Sequence, residues 1–344
     1  MNIGGDGLAR SRRWAIGAIG VAVALVALAP RPWAQQTYSM KLATATINDI
    51  QHHWQKQFKK RLEARAGGRL KIRIYPASQL GSIPRMIEGL LLGTVESFVT
   101  PTAFIVGTEP RFQIMDAPGV FDGPEHIHRI LNDPEFRRHI LGLAENKGLK
   151  GVAIFFNSPM VILSRKPIRT FADFKGQKIR TFASPLQTAP LQRLGATPVP
   201  MPLSEVMPAL QSGNIDGLLA GIPILTAFKY YDAAKAVTQT HSSMVISMGL
   251  VSKRWFDGLP ADLQKIIVEE GRNAQEGLLE WAIANLARAN KVWTDNGGEL
   301  ISLSPADKTR MMTEMAMVAN KLYAADDKLK GEFENLMRYV RKYR

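Results

Sequence analysis

Residues 178–220 read KIRTFASPLQTAPLQRLGATPVPMPLSEVMPALQSGNIDGLLA, and this stretch decides the fold. Lys178–Phe182 places Ile179 between charged neighbours and suits a short strand. Ser184 is an N-cap type with Pro185 in the first helical turn, and Leu186, Leu191 and Leu194 give the helix an apolar face that Gly195 ends. Val199 lies in a second extended run. Ser204 opens another helix, with Val206, Met207 and Leu210 inward and Gly213 at its end. Ile215–Ala220 is apolar apart from Asp216 and Gly217, as a buried strand is. Strand–helix–strand–helix–strand is the signature of a parallel sheet. Within it Arg180 sits near a strand end, just before a helix N-terminus. A guanidinium fork beside free backbone N–H groups is a carboxylate receptor.

Several blocks in and around this stretch resemble the solute-binding proteins of TRAP (tripartite ATP-independent periplasmic) transporters. They are Tyr75-Pro76-Ala77-Ser78-Gln79-Leu80-Gly81, Phe174-Lys175-Gly176-Gln177-Lys178-Ile179-Arg180 and Leu194-Gly195-Ala196-Thr197-Pro198-Val199-Pro200-Met201. Ser204-Glu205-Val206 and Ala209-Leu210-Gln211-Ser212-Gly213-Asn214-Ile215-Asp216-Gly217 continue the series. The resemblance implies an α/β, two-domain periplasmic binding protein fold. Each domain is then a mixed, mainly parallel sheet flanked by helices, with a long helix bridging the two. It divides the chain into a signal peptide at 1–34, domain I at 37–157 plus about 246–285, and domain II at 158–245 plus about 286–344. It also implies TRAP permease subunits as partners, ion-gradient-driven uptake as the process, no catalysis and no cofactor.

The N-terminus agrees with export. Arg10, Arg12 and Arg13 precede the apolar run Trp14–Ala29, Pro30 and Pro32 break it, and Ala34 is a candidate cleavage point: the three regions of a secretory signal. The run is short for a membrane span of about 20 residues. Ser11-Arg12-Arg13 leaves general and twin-arginine export both open. There is no cysteine, hence no disulfide, thiolate nucleophile or lipid-accepting Cys after the signal. The expected location is the periplasm.

The net charge is +14, and residues beyond the signal keep +11 of it. Basic and acidic residues alternate along helices, as in Lys56–Arg65. The basic cluster Arg338–Arg344, with Tyr339 and Tyr343, reads as the solvated face of a last helix, so nucleic acid is not expected as a partner. A basic surface attracts small anions.

Upstream, Tyr38–Thr44 suits a strand, and Ile50–Ala66 a helix with Trp54, Phe58 and Leu62 on one face. Arg69–Tyr75 alternates as a strand does, Ile83 to Gly93 carries a helical stripe, and Val95–Thr100 is the next strand. Ligands of such sheets bind beyond the strands' carboxyl ends, here Thr44–Asn48 and Thr100–Thr102. Lys150–Phe156 and Met160–Ser164 read as strands, with Asn157-Ser158-Pro159 as a turn crossing between domains. Proline-free sequence from Pro260 to about Thr294 reads as one very long helix, matching the family's bridging helix.

In the family the arginine at Arg180 pairs with the ligand's carboxylate, so Arg180 is the first candidate ligand-binding residue. Phe182 is a candidate to stack on the ligand, with core packing the alternative. Asn48, His52, Thr100 and Thr102 are candidates for polar contacts from the first domain; turn, surface and strand preferences also explain them. The chain departs from members for sialic or dicarboxylic acids, which carry Gln-Glu-Asn where this chain has Leu218, Leu219 and Ala220. A second pocket arginine falls near Met160, and the Phe of the family's Phe-Ser-Glu is Leu203. With Leu203 and Ala220 at the ligand, the expected solute is a small organic acid, a monocarboxylate with an apolar or aromatic body. The alternative is that these residues only pack the strand core.

Other classes fare worse. No HExxH, GxSxG, P-loop or GxGxxG fingerprint occurs in the mature chain. His126 and His128 are two apart and diverge on a helix, so no metal site is expected. Asp116 and Asp122 read as turn residues. A ligand sensor for a signalling receptor and, further off, a periplasmic hydrolase are the alternatives to transport.

Overall fold

The computed structural model describes residues 36–344, so the expected signal at 1–34 lies outside the described residues. In the first lobe β1 (Tyr38–Thr44), α1 (Ile50–Arg65), β2 (Leu70–Tyr75), α2 (Ile83–Leu92) and β3 (Ser97–Pro101) alternate as the sequence pattern requires. β1 pairs in parallel with β2 and β3. Asp49 caps α1, its side chain accepting from the His52 N–H, which sets the helix phase. Trp54, Phe58 and Leu62 then go fully into the core. Gly93, in the left-handed region at φ 78°, ends α2.

Two 3₁₀ turns, Thr102–Phe104 and Pro110–Asp116, lead to α3 (Pro124–Asn132), α4 (Pro134–Gly142) and β4 (Leu149–Pro159). The second lobe holds β5 (Val161–Ser164), β6 (Lys178–Thr181), α5 (Pro185–Arg193), β7 (Thr197–Pro200), α6 (Leu203–Gln211), β8 (Gly217–Ala220), α7 (Ile222–Ala227) and β9 (Ala236–Thr238). The chain returns through β10 (Met244–Ser252), α8 (Lys253–Asp257) and α9 (Ala261–Asn273). It ends with α10 (Leu278–Asp295), β11 (Glu299–Ile301), α11 (Pro305–Ala324) and α12 (Asp327–Tyr343). Five strands in the order β2-β1-β3-β10-β4 form one sheet, and six in the order β11-β9-β5-β8-β6-β7 the other. Both are mixed: β10 runs antiparallel to β3 and β4, and β5 antiparallel to β8 and β9. The opening stretch behaves as read, with β6 parallel to β7 and β8.

Three local expectations need correction. Asn157-Ser158-Pro159 is not a turn: β4 continues through Pro159, because Val245 and Met244 of β10 pair with Ser158 and Pro159. The crossing is Met160 alone, tied on both sides by Met160 N–H to Ser243 C=O at 2.9 Å and His241 N–H to Met160 C=O at 3.0 Å. The long helix is broken between Asn273 and Leu278. Gly277 takes φ 70°, and the Gln275 side chain turns inward, its Oε1 accepting from Ile154 N–H at 3.1 Å and Arg137 Nη1 at 3.2 Å. Glycine in the left-handed region ends a helix as well as proline does. Bridging survives in α10, which packs on α1, α3 and β4 on one side and α7 and β11 on the other. Finally, α6 starts at Leu203, with Pro202 as its N-cap instead of Ser204.

From Tyr38 onward both lobes belong to one compact unit. β4 and β10, lying side by side where the chain passes between the sheets, tie the lobes together. No described helix is long and apolar enough to cross a membrane.

Candidate ligand-binding site

A cleft with about 450 Å³ of empty space, part of it open to solvent, lies between the two sheets. Its first-lobe wall comes from the carboxyl ends of β1 and β3, where parallel sheets bind ligands, and from the first turn of α1. Its second-lobe wall is Arg180, Phe182, Leu203 and Ala220. Asn157, Ser158 and Val245 of the crossing strands close the side.

Arg180 is 1% exposed. Pairing of β6 with β7 and β8 holds it in mid-sheet. Its Nε donates to the Met201 carbonyl at 2.9 Å and Nη1 to the Leu219 carbonyl at 3.3 Å. Its Cζ lies 4.7 Å from the Phe182 ring centre and 5.7 Å from that of Phe104, and the two rings stack at 4.8 Å. Aromatic faces and carbonyl oxygens favour a cation without neutralising it. Burial pulls the guanidinium down to about 10, and the titratable neighbour that acts on it is Tyr230, itself pushed up to about 12 by burial. At neutral pH Arg180 is charged, Tyr230 is not, and no acidic side chain among the described residues pairs with Arg180. A buried cation left this way demands an anion.

The other candidates divide. Phe182, Leu203, Ala220 and Thr100 line the cavity, and the Thr100 hydroxyl is buried without a partner. Leu218 and Leu219 stay in the core, as the packing alternative has it, though the Leu219 carbonyl serves Arg180. Asn48, His52 and Thr102 do not line the cavity. Asn48 is exposed in a left-handed turn at φ 56°. The His52 ring turns back, Nδ1 accepting the Asn48 N–H at 3.2 Å. The Thr102 hydroxyl is spent on the Ile246 carbonyl at 3.4 Å.

Sequence reasoning missed Gln51, Phe104, Ser158 and Gly221, all of which line the cavity. The signal for Gln51 is its neighbour Asp49: a cap at 49 fixes the phase of α1 and turns Gln51, not His52, to the cleft. Gly221 follows β8, and a Cβ there would meet Ser158 Oγ at 1.9 Å. Gly221→Ala is expected to cost about 1–3 kcal/mol of stability by overpacking, read by urea unfolding.

Asp116 is a turn residue, as read, but a buried one. It ends its 3₁₀ turn fully buried against α5, and burial pushes its carboxyl up to about 7. Its Oδ1 accepts from Gln187 Nε2 at 2.8 Å, and Gln187 Oε1 accepts the Phe182 N–H at 3.1 Å. Asp116 thus orients the amide that holds the backbone of the cavity wall. Asp122 is exposed and pairs with Arg344. His126 is buried and bonded to Asp122 N–H and near the Val340 carbonyl, while His128 faces Asn132. Among the described residues no group of three or more His, Cys, Asp or Glu could hold a metal.

The chain is 33% identical over 227 residues to the 2,3-diketo-L-gulonate-binding periplasmic protein YiaO of Escherichia coli (strain K12), covering 66% of this chain and 69% of that one. It is similar to the crystal structure of a TRAP periplasmic solute-binding protein from Haemophilus influenzae with bound L-gulonate. That match has TM-score 0.83 and 26% identity, and covers 88% of this chain and 99% of the other. A TRAP periplasmic solute-binding protein from Desulfovibrio salexigens with bound orotic acid matches at TM-score 0.83 and 25% identity, over 88% and 100%. The profile of bacterial extracellular solute-binding protein family 7, DctP, matches residues 43–326. With sheets, cleft and these matches in agreement, the chain belongs to that family and is a TRAP-type solute-binding protein.

Proposed function

We propose that this protein captures a small organic monocarboxylate between its lobes in the periplasm and delivers it, unchanged, to TRAP permease subunits in the membrane. The lobes are residues 37–157 with about 246–285, and 158–245 with about 286–344, flexing where β4 meets β5 and β9 meets β10. The observation that carries this reading is Arg180: a buried, charged fork that no acid of the described chain neutralises. A ligand carboxylate completes it. Phe182 and Phe104 hold the fork flat, and Leu203, Ala220, Ile83, Ile224 and Val245 offer an apolar wall to the body of the acid. Among the described residues Arg180 is the only charged side chain on the cavity wall, which favours one carboxylate over two. Relatives are named for acids with one carboxylate, 2,3-diketo-L-gulonate, L-gulonate and orotate, and for acids with two, succinate and C4-dicarboxylates, so the choice of one carboxylate rests on the cavity wall alone. The leader at 1–34 supplies export. Native mass spectrometry of the exported protein, with a thermal-shift screen over organic acids, tests the reading. A single bound acid of unchanged mass is expected; turnover of a bound acid, or a neutral ligand, contradicts it.

A further inference from the structure

The cavity wall carries polar atoms that the carboxylate anchor leaves unused. Gln51, Thr100 and Ser158 are 2%, 1% and 0% exposed, and each lines the cavity. Gln51 Oε1, Thr100 Oγ1 and Ser158 Oγ are all buried without a hydrogen-bond partner. Three such atoms lining one cavity are costly unless something that enters it satisfies them.

The orientation of the Gln51 amide is set from behind. Asp49 Oδ2 accepts from Gln51 Nε2 at 3.2 Å, and Asp49 Oδ1 accepts from His52 N–H at 3.1 Å and Thr46 Oγ1 at 2.8 Å. Turning the amide over would set its oxygen against that carboxyl. Gln51 therefore presents an acceptor to the cavity, and an acceptor needs a donor. A second ligand carboxylate has none to give. It would be desolvated against Gln51 Oε1, with Asp49 behind it and no second cation on the wall. An alcohol fits: its O–H donates to Gln51 Oε1, and its oxygen accepts from Thr100 or Ser158.

Resting on the carboxylate-anchor reading above, we propose that Gln51, Thr100 and Ser158 are specificity determinants that select acids bearing a hydroxyl over their deoxy and dicarboxylate analogues. The acid end is held by the second lobe, and the hydroxyl by the first lobe and the crossing strand. The hydroxyl is then the part of the ligand that draws the first lobe onto the second.

The test is calorimetric titration of the full exported chain with matched pairs: 4-hydroxybutyrate and butyrate, mandelate and phenylacetate, L-gulonate and hexanoate, with succinate beside them. In wild type the hydroxyl member of a bound pair is expected to be at least about tenfold tighter, the worth of one well-made hydrogen bond. Gln51→Leu erases that ratio, because the hydroxy acid loses its acceptor and the deoxy acid no longer buries an unpaired one. Thr100→Val and Ser158→Ala, both near-isosteric, each reduce the ratio and guard against a folding defect in the first variant. A ratio unchanged in all three variants overturns the proposal and leaves the Arg180 anchor standing. Succinate bound as tightly as the best hydroxy acid does the same. Wild type that binds none of these acids sinks the anchor reading and this one with it.

Discussion

Arg180→Met is expected to give a folded protein that no longer binds carboxylates. Two effects of different size decide this. In the unliganded protein the guanidinium is desolvated, and its compensation is two hydrogen bonds to the Met201 and Leu219 carbonyls and the faces of Phe104 and Phe182. Methionine keeps most of the volume and the aromatic contact, loses the two bonds at about 1 kcal/mol each, and removes a buried unpaired charge that itself opposes folding. These changes oppose one another, so the thermal midpoint without ligand should move by only a few degrees. The loss of ligand binding has no such offset. Each charge-assisted bond to a carboxylate contributes about 1.5–3 kcal/mol, and a two-bond fork loses at least about 100-fold in affinity. Arg180→Lys retains the charge but not the planar fork, and should fall between. Titration calorimetry gives the affinities, and scanning calorimetry with and without acid gives the midpoints. A methionine variant that binds acids as wild type does would remove Arg180 from the site.

The place of Arg180 near a strand end is legible in the amino-acid sequence, and the reason is local, whereas its role toward a carboxylate is what the family resemblance implies. The residue sits inside a strand whose end is marked by Ser184-Pro185 and whose partners are punctuated by Gly195 and Gly213; caps and turns are short-range physics. The same physics exposes β1 through β3 and the inward face of α1. It fails where tertiary contacts choose between local options. Gln275 turns inward because Ile154 N–H and Arg137, far away in sequence, are there to meet it, and so one long helical pattern becomes α9 and α10. Asn157-Ser158-Pro159 looks like a turn, but β10 pairs with it and keeps it extended.

The polar half of the cavity shows the same limit more finely. Strand polarity places ligand contacts at the carboxyl ends of β1 and β3, which is where the wall is. Choosing His52 over Gln51 is a single-residue error of about 100° around a helix, and the Asp49 cap is the local feature that sets the phase correctly. Ser158 and Gly221 are out of reach: their closeness depends on two strands from different sheets meeting at the crossing. Leu218 to Ala220 carry both readings at once, with side chains in the core and, at Ala220 and the Leu219 carbonyl, a face toward the site.

Asp116 yields the other large effect, on stability and its pH dependence. Its carboxyl is fully buried and pushed up from 3.8 to about 7, chiefly by burial, with Ser184 and Gln187 opposing. The groups facing it are uncharged: Gln187 and Ser184 from the second lobe, and the hydroxyl of Tyr323, whose own ionisation is pushed upward by burial and by Asp116. Between about pH 4 and pH 7 the folded chain holds a proton that the unfolded chain has released. Folding stability from this group must therefore fall as pH rises through that window. Each pH unit across the window costs about 1.4 kcal/mol, so the full cost above pH 7 is on the order of 4 kcal/mol. Asp116→Asn keeps a carbonyl oxygen for Gln187 Nε2, and with it the hold on the Phe182 backbone, but never ionises. The variant's lead over wild type in urea unfolding should widen by about 3 kcal/mol between pH 5 and pH 8, on the same linkage, while acid binding is retained. Other titrating groups cancel in the difference between the two proteins. Parallel stability curves for wild type and variant from pH 5 to pH 8 would mean that Asp116 is ionised in the fold throughout, held by compensation that its polar neighbours do not explain.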